Sequence, residues 1–253
     1  MKKEPLFVAF STQKGGVGKT TFTVLAASYL YYLKGYNVAV VDCDFPQYSI
    51  QKMRKRDLGL IESDETYHRL AFEQFSKIGK KAYPIICASP DGAIDVANDF
   101  LDEDGNEYDV VFFDLPGTVN SQGVLDSLAR MDYIFTPIIS DRLVLESGLS
   151  FAVSMNELLI TNPDINLKGL YLFWNMVDGR EKTDLYTVYE QTINEFGLPL
   201  LKTFIPDTKR YRKELSGEGK PVFRSTMFPV NKKMVCGSNL EELLIEITRI
   251  IKL

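Results

Sequence analysis

Apolar runs without polar alternation recur at residues 6–10, 38–41, 84–88, 110–113, 133–139, 170–174 and 200–205. A strand that carries apolar side chains on successive positions hides both of its faces, so each run is expected to be a strand inside a sheet covered on both sides. Helix-length amphipathic stretches lie between several of them. Over residues 20–33, Phe22, Leu25, Ala26, Tyr29 and Leu33 share one helical stripe, and Lys34-Gly35 ends it. Residues 143–160 and 184–196 have the same character. In the tail, residues 239–253, a helical face collects Leu240, Leu243, Leu244, Ile247, Ile250 and Ile251. Strands alternating with helices predict an α/β fold: a doubly wound, mostly parallel sheet flanked by helices. No repeat, linker or low-complexity segment interrupts the pattern, and residues 1–253 read as a single domain.

Composition narrows the class. A chain of 253 residues, 45% apolar and 25% charged, buries a large core as an ordinary globular protein does. No apolar run approaches the roughly 20 residues that span a bilayer. The start, Met1-Lys2-Lys3-Glu4-Pro5-Leu6, is followed by too short an apolar stretch for a signal peptide. Cys43, Cys87 and Cys236 are far apart and form no C-x-x-C pair, which argues against a disulfide framework and against zinc or iron–sulfur binding. A cytoplasmic location is expected. The tail helix opens its polar face with Glu241, Glu242 and Glu246, so it is expected to pack on the domain; a membrane-surface helix needs a basic face there.

The net charge of −5 is unevenly spread. Residues 202–233 hold Lys202, Lys209, Arg210, Arg212, Lys213, Lys220, Arg224, Lys232 and Lys233 against Asp207, Glu214 and Glu218, a local balance of +6. Such a split points to a localised basic surface. Residues 91–109 carry eight acids and no lysine or arginine, and read as an exposed helix and turn. His68 is read as an ordinary surface histidine.

The chemistry concentrates where the first strand meets the first helix. Gly15-Gly16-Val17-Gly18-Lys19-Thr20-Thr21 has the strand–loop–helix context of a phosphate-binding loop. Glycines let backbone N–H groups close around a phosphate, and the helix N-terminus adds its partial positive charge. Lys19 adds a full charge, and the Thr20 hydroxyl is a ligand for Mg²⁺. The spacing departs from the generic pattern, whose first glycine would fall on Gln13.

With Lys14 in front of the glycines, the stretch Lys14–Thr21 resembles the deviant Walker A motif of the ParA/MinD family of ATPases. The resemblance continues through most of the chain and implies an ATP- and Mg²⁺-dependent enzyme. It implies that Lys14 crosses a homodimer interface to touch the partner's nucleotide, as an arginine finger does. The strand 110–113 runs into Asp114-Leu115-Pro116-Gly117, where Asp114 is a Mg²⁺ candidate and Gly117 resembles the switch glycine that senses the γ-phosphate. Leu115 leaves no carboxylate there to orient water. The second strand ends in Asp42-Cys43-Asp44 and is expected to lie beside the phosphate loop. It resembles the family's D-x-D-P-Q switch, which makes Asp44 the residue that positions the attacking water and Asp42 a metal-side or supporting group. Phe45 is an insertion in that pattern, ahead of Pro46 and Gln47.

Asn175 ends the strand 170–174 and suits either an amide contact to adenine or the start of a turn, its position favouring the first. Pro206 and Asp207, together with the later Gly219-Lys220-Pro221-Val222, resemble the segment that lines the family's adenine pocket. In ParA-like proteins the basic residues hereabouts contribute to non-specific DNA binding by the ATP-bound dimer, which here would use the 202–233 region, with a second cluster at Lys52, Arg54, Lys55 and Arg56. A solvated basic face is the alternative. The function implied is the positioning or partition of DNA, with a ParB-like adaptor stimulating hydrolysis. The alternatives are a MinD-like membrane-cycling ATPase, a nucleotide-gated scaffold with little hydrolysis, and a metabolic synthetase or metal-cluster carrier of the same fold; the missing cysteine pair disfavours the carrier.

Overall fold

The computed structural model describes residues 4–117, 122–161, 165–179, 184–213 and 223–253. Residues 219–222, including Lys220, lie outside these, as do Glu214 and Glu218. The strands are β1 (Leu6–Phe10), β2 (Val38–Asp42), β3 (Ile85–Cys87), β4 (Val110–Asp114), β5 (Tyr133–Ile138) and β6 (Gly169–Trp174). They form one parallel sheet in the order β3-β2-β4-β1-β5-β6. Its helices are α1 (Lys19–Tyr29), α2 (Ser49–Ser63), α3 (Glu65–Ile78), α4 (Ala93–Glu103), α5 (Gln122–Ala129), α6 (Arg142–Thr161), α7 (Asp184–Glu195), α8 (Lys232–Val235) and α9 (Leu240–Ile251).

Both faces of the sheet are buried along β2, β4 and β5 and most of β1 and β6, as the unbroken apolar runs require. At the margin β3 is only half-buried and its Cys87 is exposed, contrary to the reading of residues 84–88. Val8, Phe10, Val40, Phe112, Phe135 and Phe173 point to one face, where they meet Phe22 and Leu25 of α1 and Leu243, Leu244 and Ile247 of α9. Ala9, Val41, Val111, Phe113, Ile134 and Leu172 point to the other, against Ala97 of α4, Val124 and Leu128 of α5 and Leu145 and Ala152 of α6. The tail helix therefore buries its apolar stripe in the core. The acidic stretch 91–109 is only partly an exposed helix: Ala93, Ile94 and Ala97 of α4 are buried, while its acids face outward.

Two further expectations are corrected. Residues 200–205 do not form a seventh strand. They touch β6 through one isolated bridge, Leu172–Leu200, with a second, Val177–Pro206, just past both segments, and the N–H groups of Lys202 and Thr203 donate to the Glu246 carboxylate of α9 at 2.9 and 3.0 Å instead of joining a ladder. Leu33 does not lie on the buried stripe of α1. The helix loosens into a π-turn over Leu30–Lys34, which rotates Leu33 outward and buries Leu30 and Tyr32 in its place.

Candidate functional site

The loop between β1 and α1 stands at the carboxyl ends of the strands. Gly16 and Gly18 have φ of 80° and 95°, a region where a side chain is strained, and a Cβ on Gly18 would lie 3.1 Å from the Phe22 ring and 3.3 Å from Asn175 Nδ2. α1 begins without a side-chain cap and without an acid in its first turn. Its first amides and the positive end of its dipole are thus left for an anion. Lys19 Nζ donates to the Lys14 carbonyl at 3.1 Å. Burial lowers its pKa, and the carboxylates of Asp114 and Asp44 oppose that shift. The Lys14 side chain is exposed. Gly117 sits so close that a Cβ there would be 2.8 Å from Lys19 Nζ.

The order of the strands puts β4, not β2, next to β1, so the switch after β2 is one strand further from the phosphate loop than expected. Asp42 and Asp114 are register partners at the ends of β2 and β4. Both Asp114 oxygens are buried without a well-formed hydrogen bond among the described residues, although the Thr20 hydroxyl is close by. Burial pushes its pKa up to about 7, while the nearby Thr20 hydroxyl and Lys19 ammonium pull the other way. An orphaned carboxylate beside a hydroxyl at a helix N-terminus is the donor set that suits Mg²⁺, which takes one or two protein oxygens and completes its shell with water and phosphate. The structure thus brings Thr20 and Asp114 together as a fit for the metal. Among the described residues no cluster of three or more His, Cys, Asp or Glu competes with it.

Asp42 is occupied differently. Its Oδ2 accepts the N–H groups of Ile50 and Gln51 at 2.9 Å each, and its Oδ1 accepts that of Asp44 at 3.4 Å, so it anchors the start of α2. Asp44 is half-buried, and its Oδ2 accepts the Ser49 hydroxyl at 2.7 Å. Phe45, which interrupts the D-x-D-P-Q resemblance, projects into solvent and is 60% exposed.

Asn175, Pro206 and Asp207 line one pocket of about 230 Å³ with Gly16, Gly18, Thr21, Thr208, Tyr211 and Arg224. Asn175 is buried, and its Nδ2 donates to the Val17 carbonyl at 2.9 Å, tying β6 to the phosphate loop. Pro206 and Asp207 are held alongside by backbone bonds between Val177 and both Ile205 and Asp207. A larger groove of about 960 Å³, lined by Glu4, Tyr108, Arg130 and Lys168, lies at the amino end of the sheet, away from this chemistry.

The basic clusters are only partly surface. Arg54 donates to the carbonyls of Tyr83 and Thr226, and Arg56 pairs with buried Asp57 at 2.9 Å, which leaves Lys52 and Lys55 exposed from that group. In the 202–233 region Arg210 binds the carbonyls of Met234 and Cys236, and Arg224 donates to Thr21 Oγ1 at 2.6 Å. Lys202, Lys209, Arg212, Lys213, Lys232 and Lys233 are exposed. Sequence reasoning missed Ser49 and counted Arg224 only as surface charge. A serine five residues after Asp44, ahead of a helix, was a usable signal; nothing local linked Arg224 to Thr21.

A model of the CobQ/CobB/MinD/ParA nucleotide binding domain matches residues 8–222. The chain belongs to this family. Within it, the chain is 29% identical over 215 residues to the chromosome-partitioning ATPase Soj of Thermus thermophilus, covering 80% of this chain and 82% of that protein. Its fold is similar to that of a putative plasmid partition protein from Borrelia burgdorferi bound to AMPPNP, with a TM-score of 0.58, 16% identity and coverage of 98% and 99% of the two chains. It is also similar to cobyrinic acid a,c-diamide synthase from Mycobacterium smegmatis with a bound ATP analogue and magnesium, with a TM-score of 0.53, 22% identity and coverage of 86% and 89%. The ParA/MinD resemblance of the Lys14–Thr21 stretch therefore rests on the whole domain and not on the motif alone.

Proposed function

We propose that the protein is a Mg²⁺-dependent ATPase of the partition type, which forms a homodimer around two ATP molecules and uses the dimer–monomer cycle to position DNA. The observation that carries this reading is the phosphate loop itself, with an uncapped helix start, Lys19 beside Gly117, the orphaned Asp114 beside Thr20, and Lys14 exposed at its mouth. The likeness to Soj supports the partition branch.

In this reading the amides of Gly15, Gly16, Val17 and Gly18, with Thr21, cradle the phosphates, and Lys19 neutralises them in cis. Thr20 and Asp114 hold Mg²⁺, which when bound screens charge on the transferring phosphoryl group. Asp42 keeps the start of α2 in place, so that Asp44 stands at a fixed distance from Lys19 and orients the attacking water once it exchanges the Ser49 hydroxyl for it. Lys14 of each subunit supplies a cation to its neighbour's nucleotide. Asn175, Pro206 and Asp207 line the adenine pocket. The exposed lysines and arginines of residues 202–233 meet DNA phosphates without reading sequence. A ParB-like adaptor speeds turnover, and the protein works in the cytoplasm on the nucleoid. A nucleotide-gated scaffold with little hydrolysis is the second reading, favoured by one observation: Asp44 is already engaged by Ser49 beside an inserted Phe45.

Size-exclusion chromatography with ATP or ADP tests the cycle. Asp44→Ala is expected to bind ATP and accumulate as dimer, Lys14→Ala to bind ATP and stay monomeric, and Lys19→Ala to bind neither nucleotide. An Asp44→Ala variant that hydrolyses ATP at the wild-type rate, or a Lys14→Ala variant that dimerises normally, would overturn the scheme.

A further inference from the structure

The chain returns to the nucleotide site from more than 200 residues away. The segment beginning at Phe223 is clasped by two helices. The carbonyls of Ser225 and Thr226 accept the hydroxyls of Ser28 and Tyr32, each at 2.8 Å, from the far end of α1 and the turn after it. Asp57 of α2, fully buried, accepts Ser225 Oγ and Thr226 N, again at 2.8 Å. These bonds fix the backbone next to Arg224, whose own N–H donates to the Lys213 carbonyl at 3.0 Å. The Arg224 side chain then reaches the opposite end of α1, where Nη1 donates to Thr21 Oγ1 at 2.6 Å, and it lines the pocket shared by Gly16, Gly18 and Asn175.

A guanidinium only donates, so Thr21 must be the acceptor in this bond. That assignment leaves the hydroxyl's single proton to be given elsewhere, and the bond, charge-assisted and short, makes the proton a better donor. Thr21 lies in the first turn of α1, beside the amides left for an anion. We propose that Arg224 is a positioning residue of the nucleotide site: by occupying a lone pair of Thr21 it orients that hydroxyl as a donor to a phosphate of a nucleoside di- or triphosphate, and it adds a positive charge one bond removed from the ligand. The proposal rests on the nucleotide-site reading given above. It differs from the surface role that counting charges assigns to this arginine, since its Nη1 points at Thr21 in the wall of the pocket.

Binding of a fluorescent ADP analogue in Mg²⁺, measured for wild type, Arg224→Met, Arg224→Lys, Thr21→Val and the Arg224→Met/Thr21→Val pair, tests it. Loss of a charge-assisted bond in the site is expected to weaken ADP about tenfold for Arg224→Met and for Thr21→Val. Arg224→Lys is expected to recover part of the loss. The double variant is expected to be no more than about twofold worse than the poorer single, because both remove the same relay. Competition by adenosine, which has no phosphate, is expected to be unchanged in all of them. Arg224→Met binding ADP as wild type does, losses that multiply in the double variant, or an equal loss for adenosine would each overturn the proposal. Should Arg224→Met fail to unfold cooperatively in urea, the same cycle is read from Arg224→Lys and Thr21→Val. A wild type that binds no adenine nucleotide overturns the underlying site reading, whereas a wild type that binds and an insensitive Arg224→Met overturn only the relay.

Discussion

Asp114→Asn, compared with wild type in chelator and without nucleotide, measures what the proposed metal position costs the fold. The Asp114 carboxyl is fully buried and titrates at about 7 against an ordinary value of 3.8. Between those two values the folded protein keeps a proton that the unfolded chain has lost. Stability from this group therefore falls as pH rises through the window and levels off above about 7. At 1.36 kcal/mol for each pH unit, the whole window is worth about 4 kcal/mol, and the part between about pH 5 and pH 8 is worth about 2.5 kcal/mol. Asparagine has no such slope. The stability of the variant relative to wild type should thus rise by about 2.5 kcal/mol as pH increases over that interval, whatever constant penalty the amide carries. Urea denaturation at fixed ionic strength along the pH series gives the number. Saturating Mg²⁺ and ATP should then stabilise wild type and leave the variant nearly unchanged. Profiles that run parallel to within about 0.5 kcal/mol would show that Asp114 is ionised and satisfied in the free protein, and the reasoning from its orphaned oxygens would fall.

Three further outcomes are expected. Asp57→Ala removes the buried acceptor of Ser225 Oγ, Thr226 N and Thr226 Oγ1, and leaving buried donors without a partner should cost about 2–4 kcal/mol in urea unfolding, the partly exposed Arg56 adding little; a loss under about 1 kcal/mol would contradict it. Gly18→Ala forces a Cβ onto φ of 95° and against Phe22 and Asn175, at about 1–3 kcal/mol of strain, and should abolish ATP binding in a titration; unchanged affinity would refute the close fit of loop and strand. Replacing Lys209, Arg212 and Lys213 by glutamate should eliminate retention of non-specific duplex by the ATP-bound protein on a filter, and the wild-type affinity should fall steeply with salt; retention that survives the charge reversal would place DNA elsewhere or nowhere.

Much of the architecture was readable because of one physical constraint. A parallel sheet sandwiched between helices needs apolar side chains on both faces, and β1, β2, β4, β5 and β6 advertise that by their unbroken runs. Residues 200–205 show the same composition but owe it to packing on the core, and the acceptor that diverts their amides, Glu246, is some 40 residues away. α2 was illegible for a related reason. Its buried positions are Ile50, Met53, Asp57 and Ile61, so a carboxylate interrupts the apolar stripe, and Arg54 and Arg56, which bind inward, pass for solvent-facing charge. At the site, the phosphate loop declares itself because its glycines, lysine and threonines are contiguous. Asp114 and Asp44 follow from strand ends. The separation of β2 from β1 by β4 is a matter of winding order, which the runs do not encode.

The diversion of the Lys202 and Thr203 amides to Glu246 has a consequence for how copies of the chain meet. The margin of the sheet beyond β6 would otherwise offer a row of unpaired donors and acceptors to any passing extended chain. With a carboxylate of the tail helix occupying two of those donors, that flank is blunted against edge-to-edge polymerisation. At the other margin β3 is only three residues long. Neither margin of the sheet is thus a long bare template for strand addition by a second copy.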